Sequence, residues 1–306
     1  MSHDHDHAGH GHSHAPASFG RAFAIGTALN IGFVVVEAVY GILAGSMALL
    51  ADAAHNLSDV LGLVIAWGAA TLAKRSPSAR YTYGLRSSSI LAAFLNALLL
   101  LVAIAVIAVE AIRRFSEPAP VAGTTVMIVA AIGIVINGVT AWLFASGRKG
   151  DLNVRGAFLH MVADAAVSAG VVVAGFIISR TGWAWIDPVT SLVIVAVIAI
   201  GTWGLLRDSV NMSLQATPPG LDTEEVADFL RQRPGVAAIH DLHIWPLSTT
   251  ETALTVHLLM PGDYPGDAYT ADLATALHDQ FGIDHATVQI ETDAGTPCRL
   301  EPDGVI

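Results

Sequence analysis

Two histidine-aspartate pairs with one spacing stand out in this chain: His55 and Asp59 in ADAAHNLSDVLGLVIAWGAA, and His160 and Asp164 in GAFLHMVADAAVSAGVVVAGF. Both lie in strongly apolar surroundings, where an ionisable side chain costs roughly 2.5 to 3.5 kcal/mol to place. Residues four apart on a helix share a face at roughly 6 Å. Two such pairs facing one another offer two nitrogens and two oxygens, the donor set of a tetrahedral zinc site. A structural role for each residue alone, as a buried histidine or a helix-to-helix hydrogen bond, is the competing reading. The repetition argues against it, because four unpaired polar groups in lipid are expensive.

Such donors need apolar helices to carry them. Runs long enough to span a bilayer, about 20 residues, occur at approximately Phe19 to Leu43, Met47 to Ala73, Ile90 to Ile112, Val121 to Ser146, Gly156 to Ser179 and Ile186 to Leu206. With 306 residues, 53% of them hydrophobic and only 13% charged, the expectation is a six-span membrane protein plus one small soluble domain. The second and fifth spans hold equivalent places in two three-helix halves, so they run in opposite directions; inverted halves commonly bind substrate at their interface. His160 and Asp164 fall early in their run, so the depths match only if the fifth helix starts before Gly156, near Asp151, or is tilted.

Charge divides the chain. From Asn211 onward there are fifteen acidic and three basic residues, which marks a separate acidic domain and disfavours nucleic-acid binding. Nine Lys and Arg residues lie on one side of the spans (Arg21, Lys74, Arg75, Arg80, Arg86, Arg148, Lys149, Arg155, Arg207) and three on the other (Arg113, Arg114, Arg180). This imbalance predicts cytoplasmic termini and a cytoplasmic tail. The start MSHDHDH has neither a basic n-region nor a small-residue cleavage site, so no cleavable signal peptide is expected. One cysteine, Cys298, rules out an intrachain disulfide and removes Cys-rich zinc or redox motifs from consideration.

Asp52 lies three residues before His55, on or near the same stripe. It is read as the carboxylate that orients a metal-bound imidazole, with a fifth ligand or a proton carrier as alternatives. Asn30, Glu37, Asn96 and Asn137 either line a wet path or bond neighbouring helices. The first fourteen residues hold six histidines with Asp4 and Asp6 between them. That composition reads as a disordered tract, residues 1–18, which captures metal weakly or is dispensable.

In the tail, TPPG at Thr217 to Gly220 marks a boundary, and Asp222 with Glu225 suits a helix start. Strand-like runs follow at Ala238 to Leu247 and Thr252 to Met260, then a helix near Asp267 to Phe281 ending at Gly282, then a strand at His285 to Thr292. The expected order is αββαβ. His240 and His257 fall on adjacent strands, and His285 shares parity with Glu291.

ADAAHNLSD, YTYGLRSSSILAAFLNA, HMVADA and HDLHIWPLSTTETALTVHL together resemble the cation diffusion facilitator family of zinc transporters, from about Phe19 to Thr292. The resemblance implies a polytopic α-helical membrane protein with six transmembrane helices and a C-terminal α+β ferredoxin-like, metallochaperone-like cytoplasmic domain. Domains would be the tract 1–18, the transport domain 19–208 and a dimerisation and metal-sensing domain 209–306. It implies a homodimer in the cell membrane that exchanges cytoplasmic Zn2+ for external H+, with no organic cofactor. His55, Asp59, His160 and Asp164 would be the transport ligands. His240, His257, His285 and Glu291 would be regulatory zinc ligands in the tail. A metal-free tail that only dimerises is the alternative there, and His243 and His278 read as surface or packing residues.

Departures from the family pattern matter too. KRSPSARYTYG has no histidine, so a second metal site after the second helix is not expected. Ser87 and Ser89 stand where the third helix usually carries a basic residue and a glutamate; Arg86 could replace the cation and meet Asp208 in the dimer-interface salt bridge that the resemblance implies. Gln289 stands where some bacterial relatives carry another histidine, which disfavours a binuclear tail site.

An empty site with two carboxylates carries −2, and a bound dication cancels it; in low dielectric, protons must substitute for the metal. Two other function classes compete. An intramembrane zinc hydrolase needs an open coordination position and a base, as in H-E-x-x-H, which is absent here. A membrane metal sensor fits the histidine-rich segments. Co2+, Cd2+, Ni2+ and Fe2+ stay open as cargo, because site affinity follows the general transition-metal order.

Overall fold

A computed structural model describes residues 19–73, 76–145, 152–296 and 298–300. The histidine-rich start lies outside the described residues. Six long helices come first: α1 (Phe19–Ala44), α2 (Met47–Ala73), α3 (Ser88–Ser116), α4 (Gly123–Ala145), α5 (Leu152–Thr181) and α6 (Ile186–Ser213). All six spans read from hydropathy are helices. α5 begins at Leu152, a full turn ahead of the apolar run, which is the first of the two arrangements expected from the placement of His160. Among the described residues, four stretches are long and apolar enough to cross a membrane, residues 88–116, 123–143, 158–181 and 186–213, and α1 adds a shorter one at 28–44.

The chain forms two compact units, one from residues up to Leu57 with Ile107–Ile194, the other from Ser58–Val106 with Val195 onward. α2, α3 and α6 run through both.

In the first unit α4 packs along α5 at very short range. A Cβ on Gly175 would stand 2.8 Å from the Gly123 carbonyl oxygen, and one on Gly123 would stand 2.8 Å from that of Gly175. Small residues let helix backbones approach where apolar lipid gives no hydrophobic drive for association. The start of α2 is fixed by a carboxylate from α6: Met47 N donates to Asp187 Oδ2 at 2.7 Å, and the Ser46 hydroxyl and Ala48 N donate to Oδ1. An anion at a helix N-terminus satisfies orphan amides and complements the dipole. Arg114 Nη1 lies 3.9 Å from the same carboxylate and also donates to the Gly45 carbonyl, closing the α1–α2 turn. This network sets where α2, and His55 on it, begins.

The second unit contains the tail: α7 (Thr223–Arg231), β1 (Ala238–Pro246), β2 (Thr252–Leu259), α8 (Asp267–Phe281) and β3 (Ile283–Glu291). The order is αββαβ, as expected. β1 pairs antiparallel with β2, and β2 pairs parallel with β3, giving a three-stranded sheet in the order β1-β2-β3. Asp222 caps α7 by accepting from Glu224 N, and Gly282 closes α8 with a left-handed φ of 67°. One core gathers α7, α8 and the sheet around Val226, Leu230, Leu254, Val256, Leu273 and Leu277, all essentially inaccessible.

This unit also joins the start of α3 to the β1–β2 turn. Arg86 Nη1 meets Glu251 Oε1 at 2.8 Å, the Ser87 hydroxyl donates to the Leu247 carbonyl at 3.1 Å, and Thr249 N donates to Ser89 Oγ at 3.1 Å. Within the protomer, Asp208 accepts from its neighbour Arg207 at 3.4 Å; the Arg86–Asp208 pairing read from the sequence concerns the interface between two copies of the chain. Within the protomer the turn offers Arg86 a carboxylate at close range.

Candidate functional site

The residues that sequence spacing singled out come together around α2 and α5. One ligand atom from each of His55, Asp59, His160 and Asp164 lies within 4.8 Å of the others. Asp164 is the hub: Oδ1 stands 3.5 Å from His55 Nε2 and Oδ2 stands 3.5 Å from His160 Nε2. Its side chain is only 3% exposed, against 23% for His55 and 39% for His160. The imidazoles meet edge to face with centroids 5.8 Å apart, and Asp59 follows His55 by one turn on the unbroken α2. Donors around tetrahedral zinc stand about 3.3–3.7 Å apart, from metal–ligand bonds of about 2.0–2.3 Å. A contraction of about 1 Å converts this group into that geometry.

The surrounding helices supply a polar lining. Asp52 is fully buried and accepts from Ser168 Oγ at 3.2 Å, where Ser168 sits one turn beyond Asp164. Asn56 Nδ2 donates to Glu37 Oε2 at 3.0 Å, tying α2 to α1. Asn96 Nδ2 donates to Ser58 Oγ at 3.2 Å, and Asn30 Nδ2 lies 3.9 Å from the Met161 sulfur. Asn30, Glu37 and Asn96 therefore bridge helices. Asn137 is 1% exposed, and neither of its amide atoms has a hydrogen-bond partner among the described residues.

A second group lies in the tail, and its membership differs from the sequence expectation. His240, His257, Glu291 and Cys298 each place one ligand atom within 4.8 Å of the others. His240 and His257 are cross-strand partners on β1 and β2, their rings 5.1 Å apart. Glu291 Oε1 lies 3.3 Å from His240 Nε2 and 3.1 Å from His257 Nδ1, and Cys298 Sγ lies 3.5 Å from the same Nδ1. Burial works against ionisation of Glu291, yet bonds from Cys298 and Gln289 and the nearby His240 and His257 hold its carboxyl below the usual range.

His285 is not in this group. It is exposed, sits opposite Ala253, and packs edge-on against Tyr83 with centroids 5.5 Å apart. His243 and His278 are surface residues, beside Asp241 at 2.9 Å and Asp279 at 3.2 Å. Cys298 is the residue that sequence reasoning missed. A lone cysteine in a Gly- and Pro-containing segment after the last strand has no periodicity to place it.

Comparison with known proteins agrees with both halves. Residues 23–212 match the cation efflux transmembrane domain, and residues 218–293 match the cation efflux protein cytoplasmic domain. The metal cation efflux system protein CzcD of Cupriavidus metallidurans is 38% identical over 285 residues, covering 93% of this chain and 89% of that protein. The zinc transporter ZitB of Escherichia coli is 37% identical over 276 residues, covering 89% and 88%. A cadmium, cobalt and zinc/H(+)-K(+) antiporter of Bacillus subtilis is 35% identical over 267 residues, covering 86% of each. A solved structure titled as the metal-bound C-terminal domain of CzcD is 36% identical, covers 23% of this chain and 99% of that domain, and gives a TM-score of 0.21. Six apolar helices followed by an αββαβ domain, matched along nearly the whole length, make this chain a member of the cation efflux, or cation diffusion facilitator, family of membrane metal transporters.

Proposed function

We propose that this protein exports Zn2+ from the cytoplasm across the cell membrane in exchange for H+, holding the ion in transit with His55, Asp59, His160 and Asp164. The convergence of these four side chains carries the reading. Two neutral imidazoles and two carboxylates sum to −2, so one dication neutralises the group and two protons do the same. Metal loading releases protons, because the ligands bind deprotonated, and protons arriving from the far side displace the metal. Asp52, held by Ser168, supports the α2 end of the site.

The protein works as a homodimer with both termini in the cytoplasm, and the tail, residues 209–306, holds a regulatory ion. The transport domain occupies 19–208, and the tract 1–18 feeds it metal. The relatives, named as a metal cation efflux protein, a zinc transporter and a cadmium, cobalt and zinc/H(+)-K(+) antiporter, support divalent cargo of this class.

Zinc uptake into proteoliposomes under an imposed pH gradient tests the reading. Wild type should accumulate zinc and dissipate the gradient, whereas Asp59→Ala and His160→Ala should do neither while remaining monodisperse. Gradient-independent flux, or full activity in Asp59→Ala, would refute it. A membrane sensor would give no flux at all.

A further inference from the structure

We infer that Cys298 is a thiolate ligand of the tail's regulatory ion, completing a soft His240–His257–Glu291–Cys298 site that excludes His285. The inference rests on the proposal that the tail binds metal and goes beyond it in naming the donors and their chemistry.

Three distances among the four groups lie close to the donor spacing of a tetrahedral metal site, and all the ligand atoms lie within 4.8 Å of one another. Contacts of 3.1, 3.3 and 3.5 Å link His257 Nδ1 to Glu291, His240 Nε2 to Glu291, and Cys298 Sγ to His257 Nδ1. Edges of about 3.3–3.7 Å are what bonds of about 2.0 Å to nitrogen and 2.3 Å to sulfur require in a tetrahedron. His240 and His257 are 7% and 8% exposed, and His240 Nε2 is buried without a hydrogen-bond partner among the described residues while pointing at Glu291. A buried, unsatisfied ring nitrogen is costly unless something else fills the role.

The outer contacts prepare His257 to bind through Nδ1. Gln289 Nε2 lies 3.4 Å from Nδ1 and donates to Glu291 Oε1 at 3.1 Å, so it sits among the acceptors where a cation would. On the opposite side of the ring, Nε2 lies 3.5 Å from Asp241 Oδ2. With its proton on Nε2, facing Asp241, His257 would turn the Nδ1 lone pair toward Glu291 and Cys298, the tautomer that metal binding at Nδ1 requires. A carboxylate on the outer ring nitrogen is the usual support of a ligating imidazole. Asp241 reaches that place because β1 bulges between His240 and His243, with Asp241 at φ 51°. Bulges re-aim side chains in this way, and a non-glycine residue holds a left-handed φ only where its surroundings demand it.

Binding breaks the Cys298 S–H bond. The sulfur electron pair goes to the metal and the proton goes to the solvent. One thiolate and one carboxylate then match the dication, giving a neutral site. Thiolate favours softer ions than the two-imidazole, two-carboxylate transport group does. The tail therefore responds to zinc and cadmium with a preference that the transport site lacks. His285, packed on Tyr83, takes no part.

Cys298 is the sole cysteine in the chain, so any thiolate–metal signal reports it alone. The test is a Co2+ titration of the full-length protein in detergent, with Asp59→Ala and His160→Ala present to silence the transport group. Near-ultraviolet thiolate-to-cobalt charge transfer should grow to one equivalent per chain. Cys298→Ser should abolish the band, His285→Ala should leave it unchanged, and His240→Ala or Asp241→Asn should require about 10- to 100-fold more cobalt. Equilibrium dialysis counts bound ions independently. One cobalt bound without the band, and lost in His240→Ala, overturns the thiolate assignment and leaves the tail site standing; one that persists in His240→Ala lies outside the tail and overturns both. No cobalt retained by a chain that elutes as wild type does overturns both, and a band lost in His285→Ala overturns the donor set.

Discussion

The contact between Arg86 and Glu251 makes a quantitative prediction about how firmly the tail's β1–β2 turn is held. At 2.8 Å and an effective dielectric of about 20, the gross attraction is about 6 kcal/mol. Both side chains are about one third exposed, at 36% and 32%. Solvent screening and lost rotamer freedom therefore reduce the coupling to about 0.3–1 kcal/mol. The turn's own hydrogen bonds are local, except that the Thr249 amide donates to Ser89 Oγ and the Leu247 carbonyl accepts from the Ser87 hydroxyl, both beside Arg86. Hydrogen exchange at a peptide spanning Leu247 to Glu251, followed by mass spectrometry on the full-length protein, reads the opening of this latch. Arg86→Ala and Glu251→Ala should each speed exchange about two- to fivefold, and the double variant should add little, since both remove one interaction. Raising the salt to about 0.5 M should erase most of the difference, because the screening length falls to about 4 Å. Additive effects in the double variant, indifference to salt, or coupling of Arg86 to Asp208 would each refute the contact. Ser89→Ala provides an uncharged control: it should speed exchange at Thr249 with no salt dependence.

Three further outcomes follow from packing and charge. Gly175→Ala places a methyl 2.8 Å from the Gly123 carbonyl oxygen and 2.8 Å from the Met127 nitrogen, so α4 and α5 must separate at a cost of about 1–3 kcal/mol; the thermal midpoint in detergent should fall, and an unchanged midpoint would contradict the close approach. Leu254→Ala empties a fully buried position in the tail core and should cost about 2–5 kcal/mol, seen as lost exchange protection across β2 while α4 and α5 keep theirs. In the presence of a chelator, Glu291 supplies a pH dependence of known sign. Its folded pKa lies below the unfolded one, so its stabilisation is present above the unfolded value and disappears as the pH falls through the folded value. Glu291→Gln should flatten tail stability across that acidic range, and an unchanged profile would show that the carboxylate is not held by its neighbours.

What the sequence reveals about this molecule depends on whether a signal is local. Helix α2 and the cap residues Asp222 and Gly282 were legible because hydropathy, capping and left-handed glycine are properties of a few consecutive residues. The group of His55, Asp59, His160 and Asp164 was legible for a related reason: two residues four apart on a helix are neighbours whatever the rest of the chain does, and only the meeting of α2 with α5 had to be supplied by the fold. The tail site was harder because β parity tells which face a residue occupies and nothing about its neighbours across the sheet. His285 and Glu291 do share parity on β3, but six residues of strand separate them by about 20 Å. The register pairs His285 with Ala253 and Glu291 with Leu259, so only Glu291 lies near His257, which pairs with Gln289. Cys298 then enters from beyond the last strand, where no periodicity applies, and Asp241 enters through a bulge that breaks the period. Arg86 belongs with these cases, since a charge selects its partner from whatever the fold brings within a few ångströms. The donors that repeat along one element could be named from the sequence, whereas those contributed by a bulge, a turn or a trailing segment are fixed by tertiary pairing alone, and in this protein they are the ones that would make the tail site chemically different from the transport site.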